Sequence, residues 1–388
     1  MDEAGLRAHL AGVPAPELPD PAWVAPPPLA AATVAVVTTA AVHRVGEPGF
    51  ALGDATFRTV TSAARDLALG HRSPSFDRIG FAADVNVVIP VDRLAELAAA
   101  GGIGAVAPRH VSFLGSQPDD LAVVRTETGP AAAELLRADG VDVVVLTPLG
   151  PMCTRTVCVL AHVLEAHGIA TVALVSVEAL ARRMRPPRAL AVGFPLGRPL
   201  GRPDDAPFQH AVLRAAFDLL VAPRDAAFAV WPDPPDPDGD ADPGTGAWPS
   251  GPPGAPGAPG STAGPEAEIG AWRAAHDAYV RARGRTSVGI AVDVDGLAAA
   301  AAAFARVAAG TPFRDAGLPA NAVACALDLR TYFEEAALGA TGAAPEPGVA
   351  EAWFLGDTAT GRTLRAARDA MRTAEAPFPL WYYLTSDG

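Results

Sequence analysis

VDVVVLTPLGPMCTRTVCVLAHVLEAHGIATVALVSV, residues 141–177, is the stretch whose reading decides the fold. VDVVVLT (141–147) is a continuous apolar run, as a strand covered on both faces requires. IATVALVSV (169–177) is another. Between them, TRTVCVLAHVLEAHG places apolar residues at helical spacing (Val157, Leu160, Ala161, Leu164) and closes at Gly168. Strand, helix, strand is a βαβ unit. Its default is a right-handed crossover in a parallel sheet.

Working outward, TVAVVTTA (33–40) is a further buried strand, and PVDRLAELAAAGGIG (90–104) and GPAAAELLRADG (129–140) are helices, each ending at glycine. The expected architecture is α/β: a Rossmann-like parallel-sheet domain followed by a smaller, mainly helical C-terminal domain. Residues 1–30 form a proline-rich arm, and 31–230 the α/β domain, closed by a helix around HAVLRAAFDLLVA. Residues 231–265 are a Pro/Gly-rich linker, and 266–388 the helical domain. Three helices are expected there, in EIGAWRAAHDAYVRARG, DGLAAAAAAFARVAAG and GVAEAWFLGDTATGRTLRAARDAMR, with a short strand in TSVGIAVDV. This half reads as an accessory or oligomerisation domain, so a homo-oligomer is expected.

Composition narrows the chemistry. With 388 residues the chain is long enough for two sizeable cores. A net charge of -13 argues against nucleic acid and against an anionic membrane surface. All 30 basic residues are arginine. Without lysine there is no amine for Schiff-base or pyridoxal phosphate chemistry, and no Walker A loop. No G-x-G-x-x-G follows the first strand, so a conventional dinucleotide site is not expected, and no cofactor is assigned. His162 and His167 lie five apart, where a helix turns them to different faces, so no metal is assigned. The N-terminus has no signal-peptide pattern, and the apolar runs are too short for a bilayer crossing. The chain reads as cytoplasmic and soluble.

The loop TPLGPMCTRTVC (147–158) holds two of the three cysteines. Cys153 is placed at the carboxyl end of a strand and in the first turn of a helix, where the dipole favours a thiolate. Arg155 would add to that effect. Cys153 is therefore the candidate nucleophile, while Cys158 and Cys325 read as packing.

The run from Thr33 to about Leu220 resembles the selenoprotein B family of glycine, sarcosine, betaine and D-proline reductases, most of all its D-proline reductase branch. The resemblance rests on TVAVVTTAAVHR, GDATFR, DVNVVIPVDRL, GGIGAVAPRHVSFLG, ETGPAAAELLRADGVDVVVLTPLGPMCTRT, GIATV and PPRALAVGFPLGRPLG, which agree in order and spacing. It implies reductive cleavage at the α-carbon of an amino acid by a selenocysteine, regenerated through a nearby cysteine. Cys153 matches the cysteine, and Gly150 stands at the selenocysteine position. Cys158 could substitute only if the helix began after Cys153, because five residues of one helix separate Cα atoms by roughly 8 Å, beyond the usual reach of about 7 Å.

His43 and His110 follow or end strands and are expected to assist the thiol. His71, in LGHRSPSFDR, is expected to contact the substrate. Arg155 and Arg58 are candidate carboxylate clamps. Asp54 and Glu127 lie in the resembling segments, and Thr154 sits beside the thiol; these too are candidate substrate contacts. The reading is an oxidoreductase-like thiol enzyme of amino-acid metabolism acting on a small carboxylate, with a thiol reductant or a partner subunit. Two alternatives stand beside it: a binding or assembly subunit without the redox centre, and a non-redox thiol lyase or transferase.

Overall fold

The structure is a computed structural model and describes residues 3–232, 248–249, 251 and 264–385. Most of the linker read at 231–265 lies outside the described residues. The chain divides into two units. Of the described residues, 3–64, 69–71 and 84–232 form the first, and 65–68, 72–83 and those from 248 onward form the second.

The first unit is built on strands β1 (Thr33–Thr38), β2 (Phe57–Thr61), β3 (Ala105–Val106), β4 (Arg109–Phe113), β5 (Val143–Thr147), β6 (Ala170–Val175), β7 (Ala189–Ala191) and β8 (Phe228–Val230). Their order across the sheet is β8-β7-β6-β5-β1-β4-β2, with β3 also paired to β1. All pairings are parallel except β2 with β4. β5 and β6 are buried at every residue, which is why they read as unbroken apolar runs. The strand order reverses direction at β1, with β4 on one side and β5 on the other. Such a switch point opens a crevice at the carboxyl ends of the strands.

Helices α1 (Glu3–Ala11), α2 (Val91–Ala99), α3 (Gly129–Ala138), α4 (Cys153–Ala166), α5 (Glu178–Met184) and α6 (Ala206–Asp218) complete the unit. α4 makes the crossover from β5 to β6 and is followed by Gly168 at φ +83°. Twelve of its fourteen residues are buried. The sheet covers one side of α4, and the extended N-terminal arm covers part of the rest. Arginines hold that arm by its carbonyls: Arg155 to Pro14 (2.9 Å), Arg185 to Leu18 (3.2 Å), Arg188 to Val24 (2.7 Å), and Arg183 to Val13 (3.1 Å). Prolines leave an extended backbone with unused acceptors, and guanidinium groups fill them. α1, at the front of the arm, was not visible in the sequence pattern.

The second unit contains α7 (Pro265–Arg283), α8 (Leu297–Ala308), α9 (Ala322–Thr341), α10 (Val349–Asp357), α11 (Ala359–Thr373) and α12 (Phe378–Tyr382). The expected single helix over 348–372 is two, broken at Thr358, whose hydroxyl donates to Phe354 O (2.7 Å) and accepts from Gly361 N (2.9 Å). The expected strand in TSVGIAVDV is absent. There the backbone N–H groups of Gly289, Ile290, Ala291 and Val292 all donate to the Asp328 carboxylate at 2.7–3.0 Å, so one side chain replaces a partner strand. Residues 72–83, adjacent in sequence to the α/β domain, pack with this unit. Ile79, Ala82 and Ala83 bury against Tyr279, Leu338 and Ala350, and Arg285 donates to the carbonyls of Phe81 and Ala82. Among the described residues, no helix is long and apolar enough to cross a membrane.

Candidate functional site

Three strand ends converge on one sulfur. Cys153 is the first residue of α4, just beyond β5, and is fully buried. Its Sγ accepts from the N–H of Gly150 (3.1 Å), lies 3.6 Å from Thr39 O beyond β1, and lies 3.5 Å from His71 Nε2. The thiol proton thus has two acceptors in reach, a carbonyl and an imidazole. Beyond β4, Gly115 comes so close that a Cβ there would meet Sγ at 2.2 Å and Thr39 O at 3.0 Å. Only a residue without a side chain leaves room for the thiol.

The electrostatics run against the sequence expectation. Burial pushes the Cys153 thiol above the ordinary thiol range, and the hydrogen bonds from Thr39, Leu149 and Gly150 offset this only in part. Cys158 is also buried, and burial pushes its thiol up as well. α4 begins at Cys153, so Cys158 does not meet the condition for pairing with it, and all three cysteines are free.

His71 takes the position at the thiol that the sequence reading gave to His43 or His110. His110 is fully buried inside the sheet. Its Nδ1 accepts from Val36 N–H (3.0 Å), and Nε2 meets Ser62 Oγ (3.0 Å). β1 changes partner from β3 to β4 near this point, and the ring satisfies the backbone N–H left between them. Burial lowers its pKa to about 4. His43 lies against Ala41 O (3.2 Å) and edge-on to Phe50, and burial lowers its pKa as well.

Neither candidate arginine is left to grip a carboxylate. Arg155 lies two residues after Cys153, roughly 200° around the helix. It is buried and donates to Asp119 (2.7 Å), Gln117 O (2.7 Å) and Pro14 O. Arg58 donates to Asp54 (3.1 Å), Gly49 O (2.8 Å) and Thr56 Oγ1 (2.7 Å), and stacks over Phe50. Burial opposes ionisation of Asp54, but bonds from Thr56 and Arg58 hold its carboxyl below the usual range. Thr154 Oγ1 accepts from Ser176 N (3.1 Å) and Val177 N (3.2 Å), tying α4 to the end of β6. Glu127 is exposed on a π-helical turn, Val124–Thr128.

Sequence reasoning missed Gly115 and the carbonyl of Thr39 as parts of the thiol's surroundings. Gly115 ends the segment GGIGAVAPRHVSFLG, and its position straight after a strand was the available signal.

The fold and site together define a thiol-bearing α/β protein with its cysteine at the sheet's switch point. No family model matches the chain, and no solved structure matches it. It is 32% identical over 210 residues to D-proline reductase subunit gamma of Acetoanaerobium sticklandii, a match covering 53% of this chain and 86% of that one. It is 28% identical over 208 residues to glycine reductase complex component B subunit gamma of Carboxydothermus hydrogenoformans, covering 49% of this chain and 46% of that relative. The chain belongs to the selenoprotein B-like family of these D-proline and glycine reductase subunits.

Proposed function

We propose that this protein is a reductase subunit whose working thiol is Cys153 and whose proton acceptor is His71. The reading is carried by the sulfur–imidazole approach of 3.5 Å at the carboxyl end of β5. His71 takes the thiol proton, and the thiolate attacks the α-carbon of an amino acid or related small carboxylate, forming a C–S bond as the C–N bond breaks and the amine leaves with the proton from His71. An external dithiol then attacks the sulfur, the α-carbon departs with a proton as the reduced acid, and the second thiol of the dithiol resolves the mixed disulfide and leaves as its oxidised form. With Arg58 and Arg155 engaged elsewhere, the substrate carboxylate falls to the amino end of α4, where the helix dipole favours an anion. Gly150, at the family's selenocysteine position, carries no second redox group. Regeneration of Cys153 therefore requires an external thiol or a partner subunit. Both relatives are named as subunits, which supports the partner.

A second reading is a binding or assembly subunit that has lost catalysis. It is favoured by the complete burial of Cys153 and the upward shift of its thiol. Alkylation of Cys153 followed by mass spectrometry, across pH and with candidate amino acids and dithiol present, separates the two. Protection of Cys153 by a substrate, and turnover lost in Cys153→Ser, support the enzyme. Cys153 reacting no faster than Cys158 under all conditions sinks it.

A further inference from the structure

Within the Pro/Gly-rich linker, Trp248 and Pro249 are seated on the helical unit. Trp248 packs against two apolar clusters, one holding Trp272 and Trp353, the other Tyr279, Leu338 and Ala350. Its ring meets Trp353 edge-on at 5.8 Å between centroids, and Trp353 meets Trp272 edge-on at 5.6 Å. Edge-to-face aromatic pairs add to what burial alone contributes. The indole Nε1–H of Trp353 donates to Pro249 O (2.6 Å). Trp272 and Trp353 are buried, whereas Trp248 and Pro249 keep partial exposure. The Trp248 Nε1, although buried, meets no acceptor among the described residues. Packed rings and one bond to a proline carbonyl therefore hold the segment in place.

We propose that the cleft formed by α7, α9 and α10 is a recognition site for an extended Trp-Pro peptide, occupied in this chain by its own residues 248–249. Proline-containing ligands dock in aromatic-lined grooves, where their extended backbone is already formed before binding. The proline offers a carbonyl acceptor and no N–H that would need a partner in the cleft. It also biases the preceding residue toward extended backbone, so Trp248 loses little freedom on docking. The unmatched Trp248 indole distinguishes this seat from core packing, where a buried tryptophan N–H usually finds a partner. Carried on the same chain, the occupant is present at a high effective concentration, which keeps free peptides out.

A fluorescein-labelled peptide of residues 245–252, TGAWPSGP, titrated into the full-length protein tests this by anisotropy. It is expected to bind Trp248→Ala saturably and wild type about tenfold more weakly or worse, because the resident segment competes. Adding Trp353→Phe to Trp248→Ala should weaken binding by roughly fivefold, the worth of one neutral hydrogen bond. No binding to a folded Trp248→Ala, equal affinity for both proteins, or an affinity unmoved by loss of the indole would each overturn the site. Fluorine NMR of wild type labelled with fluorotryptophan does not depend on a variant binding. The Trp248 signal, assigned by its loss in Trp248→Phe, should stand apart from that of the labelled free peptide and move toward it when unlabelled peptide is in excess. A signal at the free-peptide position from the start would mean that the cleft is empty, and would overturn the proposal. A dimer that dissociates in Trp248→Ala would put the occupant on a second copy and overturn the assignment to the same chain.

Discussion

His71 Nε2 lies 3.5 Å from the Cys153 sulfur across 82 residues of sequence, in a site where both side chains are buried. In the proposed reaction the imidazole offsets what burial does to the thiol. A buried sulfur resists ionisation, but a base in contact can take its proton without water.

Replacing His71 by alanine should therefore slow alkylation of Cys153 at neutral pH by about tenfold or more. The rates of Cys158 and Cys325 should not move, which makes them internal references for mass spectrometry. Equal Cys153 rates in wild type and variant would mean that the imidazole is packing only.

Gly115→Ala puts a methyl group into the space of the sulfur. A cost of about 1–3 kcal/mol is expected for such overpacking, read as a lower denaturant midpoint. Cys153→Ala in the same chain should recover part of it, because the closest clash is then gone. A double variant no more stable than Gly115→Ala would place the strain at Thr39 O instead.

His110 makes the chain acid-sensitive. Its pKa is depressed to about 4 in the folded state, against roughly 6.5 unfolded, so the unfolded chain binds the proton first. Its stabilisation is present above about 6.5 and is lost as pH falls through about 4, by about 3 kcal/mol in total. Denaturant midpoints at pH 7 and pH 4.5 should differ less in His110→Gln than in wild type. An unchanged difference would argue against the buried neutral ring.

Arg188 and Glu165 form an ion pair at 2.5 Å with both side chains fully buried, and Arg188 also stacks on Trp23 of the arm. Arg188→Met leaves a buried carboxylate with its charge unpaired and should cost about 3–5 kcal/mol. Adding Glu165→Gln should restore a good part of that. Urea titration of the three variants gives the comparison, and additive losses would show that the two groups act independently.

Much of the α/β unit is legible in the chain. VDVVVLT and IATVALVSV form buried parallel strands because only a doubly covered strand tolerates such a run. Cys153 is legible as a helix-start thiol for the same reason, since the loop joins two recognisable elements. The central helix of the second unit, α9, was not legible. It is buried on nearly every side, and its Asp328, Arg330, Glu334 and Glu335 look like a solvated face until their partners are seen.

Sequence alone thus determined the strand–helix alternation, the exclusion of lysine chemistry and the place of Cys153, because these depend on residue type and local spacing. Tertiary structure alone decided that His71, and not His110, meets the thiol. It also turned Arg155 away from the site and gave residues 72–83 to the helical unit. Those outcomes depend on helix rotation, on the Val36 N–H that takes His110 as its acceptor and on long-range packing, none of which neighbouring residues encode.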